Sequence, residues 1–282
     1  MGRALSDRFR LLAIDIDGTL LRSDKTISAR SQAALAAARE RGVRLVLVTG
    51  RRLPGARRVT RELGAELPLV LHNGALIVEG GALLRVRPLA REAALRALRT
   101  GLARGADPVL HCGEGGEGRL VVADGLRPSN TLLAYYLDKS HPDVTVVDDI
   151  VAWLREDPIQ VMYGGELGEM ETLHRALQAE LGGDARLERT LYPRQGVGIV
   201  DVLGPGVHKA EALAFLQARW GIAAAQTLAI GDNWNDLGML EAAGLGYVMG
   251  NADAGLLARG LPVLPTNDED GVALAVERHL LG

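Results

Sequence analysis

The sequence is poor in cysteine, in unbroken apolar runs and in lysine, and each shortage excludes something. Cys112 is the single cysteine of 282 residues. No intramolecular disulfide and no thiolate zinc cluster can form, and a reducing cytoplasm is the expected compartment. No apolar stretch reaches the roughly 18 residues of a membrane-spanning helix. The early run Leu11 to Leu21 is broken by Asp15 and Asp17, which also argues against a signal peptide there. Excess positive charge is missing too: 32 Lys plus Arg stand against 35 Asp plus Glu, for a net charge of -3. Neither nucleic acid nor an anionic membrane is then an expected partner, and an anionic ligand has to be held by local groups. Lysine is scarcest, with Lys25, Lys139 and Lys209 the only lysines among the 32 cations. In a chain so biased toward arginine, a retained lysine points to a need for a compact ammonium. The length, with 48% hydrophobic and 24% charged residues, supports one large domain or two modest ones.

The pattern along the chain has two textures. Arg10 to Ile16, Val43 to Val48 and Leu67 to Leu71 read as buried strands, each ending in a polar, turn-forming cluster. Between them lie an Ala-rich helix from Ser28 to Arg41, with Ser28 as N-cap and Gly42 past its end, and a helix around Gly55 to Leu63. Ala75 to Val78 and Leu83 to Val86 flank Glu79-Gly80-Gly81 as a hairpin. From Pro88 to Leu203 helices mix with alternating strands such as Arg119 to Val122 and Ile159 to Tyr163. The first texture then resumes: helix Ala210 to Trp220, strand Thr227 to Ile230, helix Leu237 to Ala243 and strand Gly246 to Met249. This predicts a doubly wound α/β core with a parallel sheet, in segments 1–86 and 204–282, and an inserted α+β domain over 87–203. In such sheets ligands sit beyond the carboxyl ends of the strands.

Polar residues gather at those ends. Asp15-Ile16-Asp17 places two carboxylates two residues apart, which is costly unless a cation lies between them or one stays protonated; a solvated acidic turn is the alternative. A divalent ion with oxygen ligands, such as Mg²⁺, resolves the conflict. Thr49-Gly50-Arg51 offers a hydroxyl and backbone N–H groups suited to a phosphate oxygen, and Asp232 and Asp236 offer further carboxylates. Such an acidic rim repels phosphate, so a phosphate substrate requires both a metal and a counter-charge, for which Lys209 is the candidate.

Asp15-Ile16-Asp17-Gly18-Thr19-Leu20, Thr49-Gly50-Arg51, Lys209 and Gly231-Asp232-Asn233-Trp234-Asn235-Asp236, in this order, resemble the four motifs of the haloacid dehalogenase-like superfamily. Asn73-Gly74-Ala75, Met249-Gly250-Asn251-Ala252 and Asn267-Asp268-Glu269-Asp270-Gly271-Val272 narrow the resemblance to the Cof-type, subclass IIB hydrolases. One departure is His208-Lys209-Ala210, where members often have Ser-Lys-Gly.

The resemblance implies a Mg²⁺-dependent phosphatase acting on a small phosphorylated metabolite, with a sugar phosphate expected, and it makes the insertion a cap that sets specificity. It assigns Asp15 as nucleophile and Asp17 as the acid and base, also holding Mg²⁺ through its carbonyl. Thr49, Gly50, Arg51, Asn73, Gly74, Lys209 and Asn235 would bind phosphate or substrate, Lys209 also neutralising Asp15. Asp232 would complete the metal site, supported by Asn235 and Asp236. Two alternatives remain: a phosphosugar mutase, and a non-catalytic phospho-ligand sensor.

Other signals read as structure. Gly113 to Gly118 fits a dinucleotide-binding glycine pattern, but its glutamates repel a pyrophosphate and a strand follows it. His111-Cys112 lacks companion metal ligands, Trp153 and Trp220 are expected in cores, and Lys25 and Lys139 at the surface. Trp234 either packs or touches the cap or substrate, and Arg51 either supports the phosphate loop or forms a salt bridge.

Overall fold

The computed structural model describes residues 8–113, 118–125 and 143–282, and the chain divides into two compact units. The first comprises Met1–Arg51, Gly55–Leu84 and His208–Gly282; the second comprises Arg52–Pro54 and Arg85–Val207. Leading in are β1 (Leu11–Ile14), α1 (Ala29–Glu40), β2 (Arg44–Val48), α2 (Leu53–Glu62), β3 (Leu69–Leu71), β4 (Leu76–Glu79) and β5 (Ala82–Val86). The middle runs α3 (Arg91–Leu102), β6 (Pro108–Cys112), β7 (Arg119–Ala123), β8 (Val144–Val147), α4 (Ile150–Trp153), β9 (Gln160–Glu166), α5 (Leu167–Leu181), β10 (Arg186–Tyr192) and β11 (Val197–Leu203). Last come α6 (Lys209–Trp220), β12 (Thr227–Gly231), α7 (Leu237–Ala242), β13 (Leu245–Met249), α8 (Ala254–Leu257), β14 (Val263–Leu264) and α9 (Gly271–Val276).

The first unit is built on a sheet of order β14-β13-β12-β1-β2-β3-β4-β5, parallel from β14 through β3 and turning antiparallel at β4. β1 is central and buried at every position, so its side chains are apolar on both faces and do not alternate. It pairs with β12 on one side and β2 on the other, which brings chain-distant segments together at one sheet edge. Leu11, Ala13, Val46, Val70, Leu213, Leu216, Ala229 and Val248 belong to the core of this unit. α1 begins as expected: the Ser28 side chain accepts the Ser31 N–H, and Gly42 follows at φ +82°. α2 starts at Leu53 rather than Gly55, with Pro54 in its first turn, where its missing N–H costs nothing.

The second unit is a six-stranded mixed sheet of order β10-β11-β9-β6-β7-β8. Residues of α3 and α5, among them Leu98, Met170, Leu173 and Leu177, pack with Leu110, Val161, Tyr163 and Val200 of the sheet. Tyr163 donates its hydroxyl proton to the Ala97 carbonyl at 2.8 Å, so the buried phenol is satisfied. His111 and Cys112 are both buried, and burial pushes the Cys112 thiol up to about 11, which leaves it unreactive. Residues 114–117 of the glycine-rich run, and Lys139, lie outside the described residues. Among the described residues no helix is long and apolar enough to cross a membrane.

Candidate active site

The site forms where β1, β2, β3 and β12 end and α6 begins, all within the first unit. Lys209 is the first residue of α6 and is 1% exposed. Its ammonium donates to Asp15 Oδ1 at 2.6 Å and to Asp236 Oδ1 at 2.7 Å. The second oxygen of Asp236 accepts the backbone N–H groups of Asp232 at 3.1 Å and Asn233 at 3.0 Å. Asp236 is thereby fixed by the lysine on one side and by the turn after β12 on the other. Asp232 Oδ1 accepts the Thr19 hydroxyl at 3.0 Å. Thr19 belongs to the first motif, yet the sequence reading assigns it no role; its signal is the hydroxyl two residues beyond Asp17.

Asp15, Asp232 and Asp236 each place a carboxylate oxygen within 4.8 Å of the others. Three carboxylates face one ammonium, and the electrostatics record the imbalance. Burial pushes Asp15 up to about 7 although Lys209 pulls it down, and Asp236 adds to the rise. Burial also raises Asp232 well above its ordinary value, with Asp15 and Asp236 as the next causes. Burial alone would lower the Lys209 ammonium, but Asp15 and Asp236 more than reverse that and hold it charged. A hard divalent cation fits this all-oxygen set and removes the imbalance. Asp15 and Asp232 are the better donors, because Lys209 and two amides already engage both oxygens of Asp236.

Asp17 is placed differently. Its carboxylate forms a bidentate pair with Arg51, Nε to Oδ2 and Nη2 to Oδ1, both at 2.6 Å. Lys25 is exposed, but its ammonium lies 3.6 Å from Asp17 Oδ1, so it is more than an unattached surface residue. Burial would raise Asp17, yet hydrogen bonding and charge from Arg51, with help from Lys25, hold it below the usual carboxylate value. Of the two readings of Arg51, the salt bridge is the one formed.

The turns beyond β2 and β3 are tied together. Asn73 N–H donates to Thr49 O at 3.0 Å and His72 N–H to Arg51 O at 3.2 Å. Thr49 Oγ1 accepts the Arg51 N–H at 3.1 Å, so that amide, expected to face a ligand, is used within the turn and leaves the Thr49 hydroxyl proton free to be given elsewhere. Asn73 Oδ1 accepts from Asn235 Nδ2 at 2.9 Å, which links the β3 and β12 turns. His72 and Asn73 have φ of 49° and 53°, followed by Gly74 at 114°. A Cβ on Gly74 would lie 2.6 Å from the His208 carbonyl oxygen, so glycine is required for α6 to start this close. His208 caps that helix, its Nδ1 accepting the Glu211 N–H at 3.3 Å, and the imidazole takes the place of a serine hydroxyl. Trp234 packs against the core of this unit and donates its indole N–H to Asp253 at 3.2 Å. All sequence-predicted site residues are thus at these strand ends, while Asp17 faces Arg51 and not the three-carboxylate group.

A model of the haloacid dehalogenase-like hydrolase family matches residues 12–276. Pyridoxal phosphate phosphatase YbhA of Escherichia coli is 28% identical over 96% of this chain and 99% of its own. The 5-amino-6-(5-phospho-D-ribitylamino)uracil phosphatase YbjI of the same organism is 25% identical over 96% of both chains. HMP-PP phosphatase of Cronobacter sakazakii is 30% identical over 91% of this chain and 89% of its own. Among solved structures, a haloacid dehalogenase-like hydrolase from Bacteroides thetaiotaomicron superposes with a TM-score of 0.78 at 26% identity, covering 96% of this chain and 99% of that one. A family model spanning nearly the whole sequence, together with motifs that converge at one sheet edge, shows that this chain belongs to the haloacid dehalogenase-like hydrolases.

Proposed function

We propose that the protein is a Mg²⁺-dependent phosphatase that hydrolyses the phosphate monoester of a small soluble metabolite, a sugar phosphate or a related compound, through an aspartyl-phosphate. The observation that carries this reading is the buried Lys209 ammonium held between Asp15 and Asp236 beside Asp232. An ammonium so placed neutralises a nucleophilic carboxylate and meets a phosphate oxygen without adding bulk. The curated relatives are named as phosphatases of different small phosphorylated compounds, which supports the class of substrate.

The residues then take the following parts. An Asp15 oxygen attacks phosphorus in line, the ester P–O bond breaks, and Asp17 gives its proton to the departing alkoxide. Asp17 next takes a proton from water, whose oxygen attacks phosphorus and breaks the aspartyl P–O bond, releasing inorganic phosphate. The Thr49 hydroxyl, the Gly50 amide and Lys209 hold phosphate oxygens, with Asn73, Gly74 and Asn235 shaping the turns around them. Asp17 must exchange its Arg51 partner to do this, since the pair as found keeps it ionised. Asp15, Asp232 and the Asp17 carbonyl would hold Mg²⁺, with Asn235 and Asp236 in support; the ion supplies charge neutralisation at the transferring phosphoryl group. Residues 85–207 of the second unit are the specificity cap in this reading.

A phosphatase screen across sugar phosphates and the relatives' named substrates, with Mg²⁺ present or chelated, tests it. Steady Mg²⁺-dependent release of inorganic phosphate is expected. Isomerised sugar phosphate without net release would establish a mutase instead, and binding without either product a sensor.

A further inference from the structure

Three motif residues near the end of the chain have no part in the chemistry above, yet all of them grip the loop that follows the nucleophile strand. Asn251, in the turn after β13, donates from Nδ2 to the Gly18 carbonyl at 2.8 Å. Its own Oδ1 accepts the Asn267 N–H at 3.0 Å, and Asn267 Nδ2 donates to the Leu21 carbonyl at 2.8 Å. Asp268 accepts from Ser23 twice, from the backbone N–H at 2.8 Å and from the hydroxyl at 2.6 Å, and its carbonyl accepts from Arg22 Nη2 at 2.7 Å. The loop is also closed on itself, since the Leu21 N–H donates to the Ile16 carbonyl at 2.9 Å.

Asp17 lies inside this lattice. On its N-terminal side the Ile16 carbonyl is held by Leu21, which is held in turn by Asn267. On its C-terminal side the Gly18 carbonyl is held by Asn251. Gly18 has φ +76°, and a Cβ there would lie 2.2 Å from Asp232 Oδ2, so the chain passes Asp232 with no room to shift toward it. A merely structural staple needs only to hold the loop somewhere near β1. This one holds the Gly18 carbonyl directly through the Asn251 side chain and the Ile16 carbonyl through Leu21, whose own carbonyl the Asn267 side chain takes, and the two asparagines are joined by the Asn267 N–H to Asn251 Oδ1 bond.

We infer that Asn251 and Asn267 are positioning residues that set where the Asp17 carboxyl group stands relative to the departing oxygen. The inference rests on the reading of Asp17 as the acid. A displacement of about 1 Å costs on the order of a hundredfold when a catalytic group is misaligned. Proton donation matters for a poor leaving group such as an alkoxide and little for a good one such as dinitrophenolate, so mispositioned acid leaves a signature that general damage does not.

The test compares kcat/KM for the best primary-alkyl phosphate of the screen with that for 2,4-dinitrophenyl phosphate. Asp17→Asn serves as reference and Asn251→Ala as probe, with thermal midpoints measured on each. Asn251→Ala is expected to lose at least about 30-fold on the alkyl ester and less than about threefold on the aryl ester, in the same sense as Asp17→Asn. Equal losses on both esters, or no loss, would overturn the inference. If Asn251→Ala does not fold, Asn267→Ala is read by the same criterion; loss of fold in both makes the pair a staple and also overturns it. If Asp17→Asn itself shows no leaving-group dependence, the acid reading fails first and this inference falls with it, which separates the two failures.

Discussion

At the scale of single residues, Lys209 joins the scarcity of lysine to a geometric need. Its ammonium fits between two carboxylates at 2.6 and 2.7 Å, a space that a planar guanidinium does not share. Lys209→Arg is therefore expected to lower kcat/KM by at least roughly tenfold, whereas Lys25→Arg, at a side chain 61% exposed, keeps the charge near Asp17 and should change little. Near wild-type kinetics for Lys209→Arg would remove the lysine from the mechanism. Asp15→Asn should leave less than about a hundredth of the wild-type rate with the fold intact, because the proposed nucleophile is lost while Asp236 still pairs with the lysine; circular dichroism beside the assay checks both halves. His279 offers a test away from the site. Burial lowers it, aided by Arg278 and Arg8, so the folded protein prefers the neutral ring, whose Nε2 lies 2.9 Å from the Tyr247 hydroxyl. A group depressed in this way adds stability above its unfolded value near 6.5, and that stability is lost as pH falls through the folded value. His279→Gln should flatten the fall in thermal midpoint between about pH 7 and pH 5; an unchanged slope would exclude the histidine as its source.

At the scale of elements, α6 is the one whose start decides the site, since its first residue is Lys209. Two features hold that start: the His208 imidazole cap and the glycine that lets the β3 turn pass beneath it. His208→Ala is expected to cost about 1 kcal/mol, and His208→Ser to retain most of it, since either side chain can accept the Glu211 N–H. In a chain of this size that is a loss of roughly 2–4 °C in the thermal midpoint for alanine. Gly74→Ala should cost more than about 1–3 kcal/mol and shift Lys209, because φ of 114° and the close His208 carbonyl both oppose a Cβ. A Gly74→Ala protein of native midpoint and rate would show that the helix start is not set there.

At the scale of the whole molecule, the strand order does the assembling. β1 lies between β12 and β2, so Asp15, Thr49 and Asp232, far apart in sequence, end side by side. The acidic group that results should be strained until a cation arrives. Mg²⁺ is expected to raise the thermal midpoint in proportion to its occupancy, and Asp232→Asn to weaken that response; an identical midpoint in Mg²⁺ and in chelator would refute the assigned donors. Exchange of Arg85–Val207, the long segment of the second unit, for that of a relative should change which metabolites are accepted more than the rate on a small activated ester. Equal loss on every substrate, with the first unit still folded, would count against such a division of labour.

Much of this was written in local sequence. Periodicity and capping residues identified the strand-helix alternation, because a buried parallel strand is apolar at every position and a helix announces its start with a residue such as Ser28. The motif acids, Thr49 and Lys209 were legible because their chemistry depends on residue type and order. Partnership was not. That Asp17 turns to Arg51 and Lys25, that the Arg51 amide closes on Thr49, and that Asn251 and Asn267 hold the carbonyls of Gly18 and Leu21 are matters of separation in space, between residues that lie from 2 to 246 positions apart in sequence. Hydrogen bonds reach about 3 Å and sequence spacing says nothing at that range. Only the packing of β1 against its neighbours decided them.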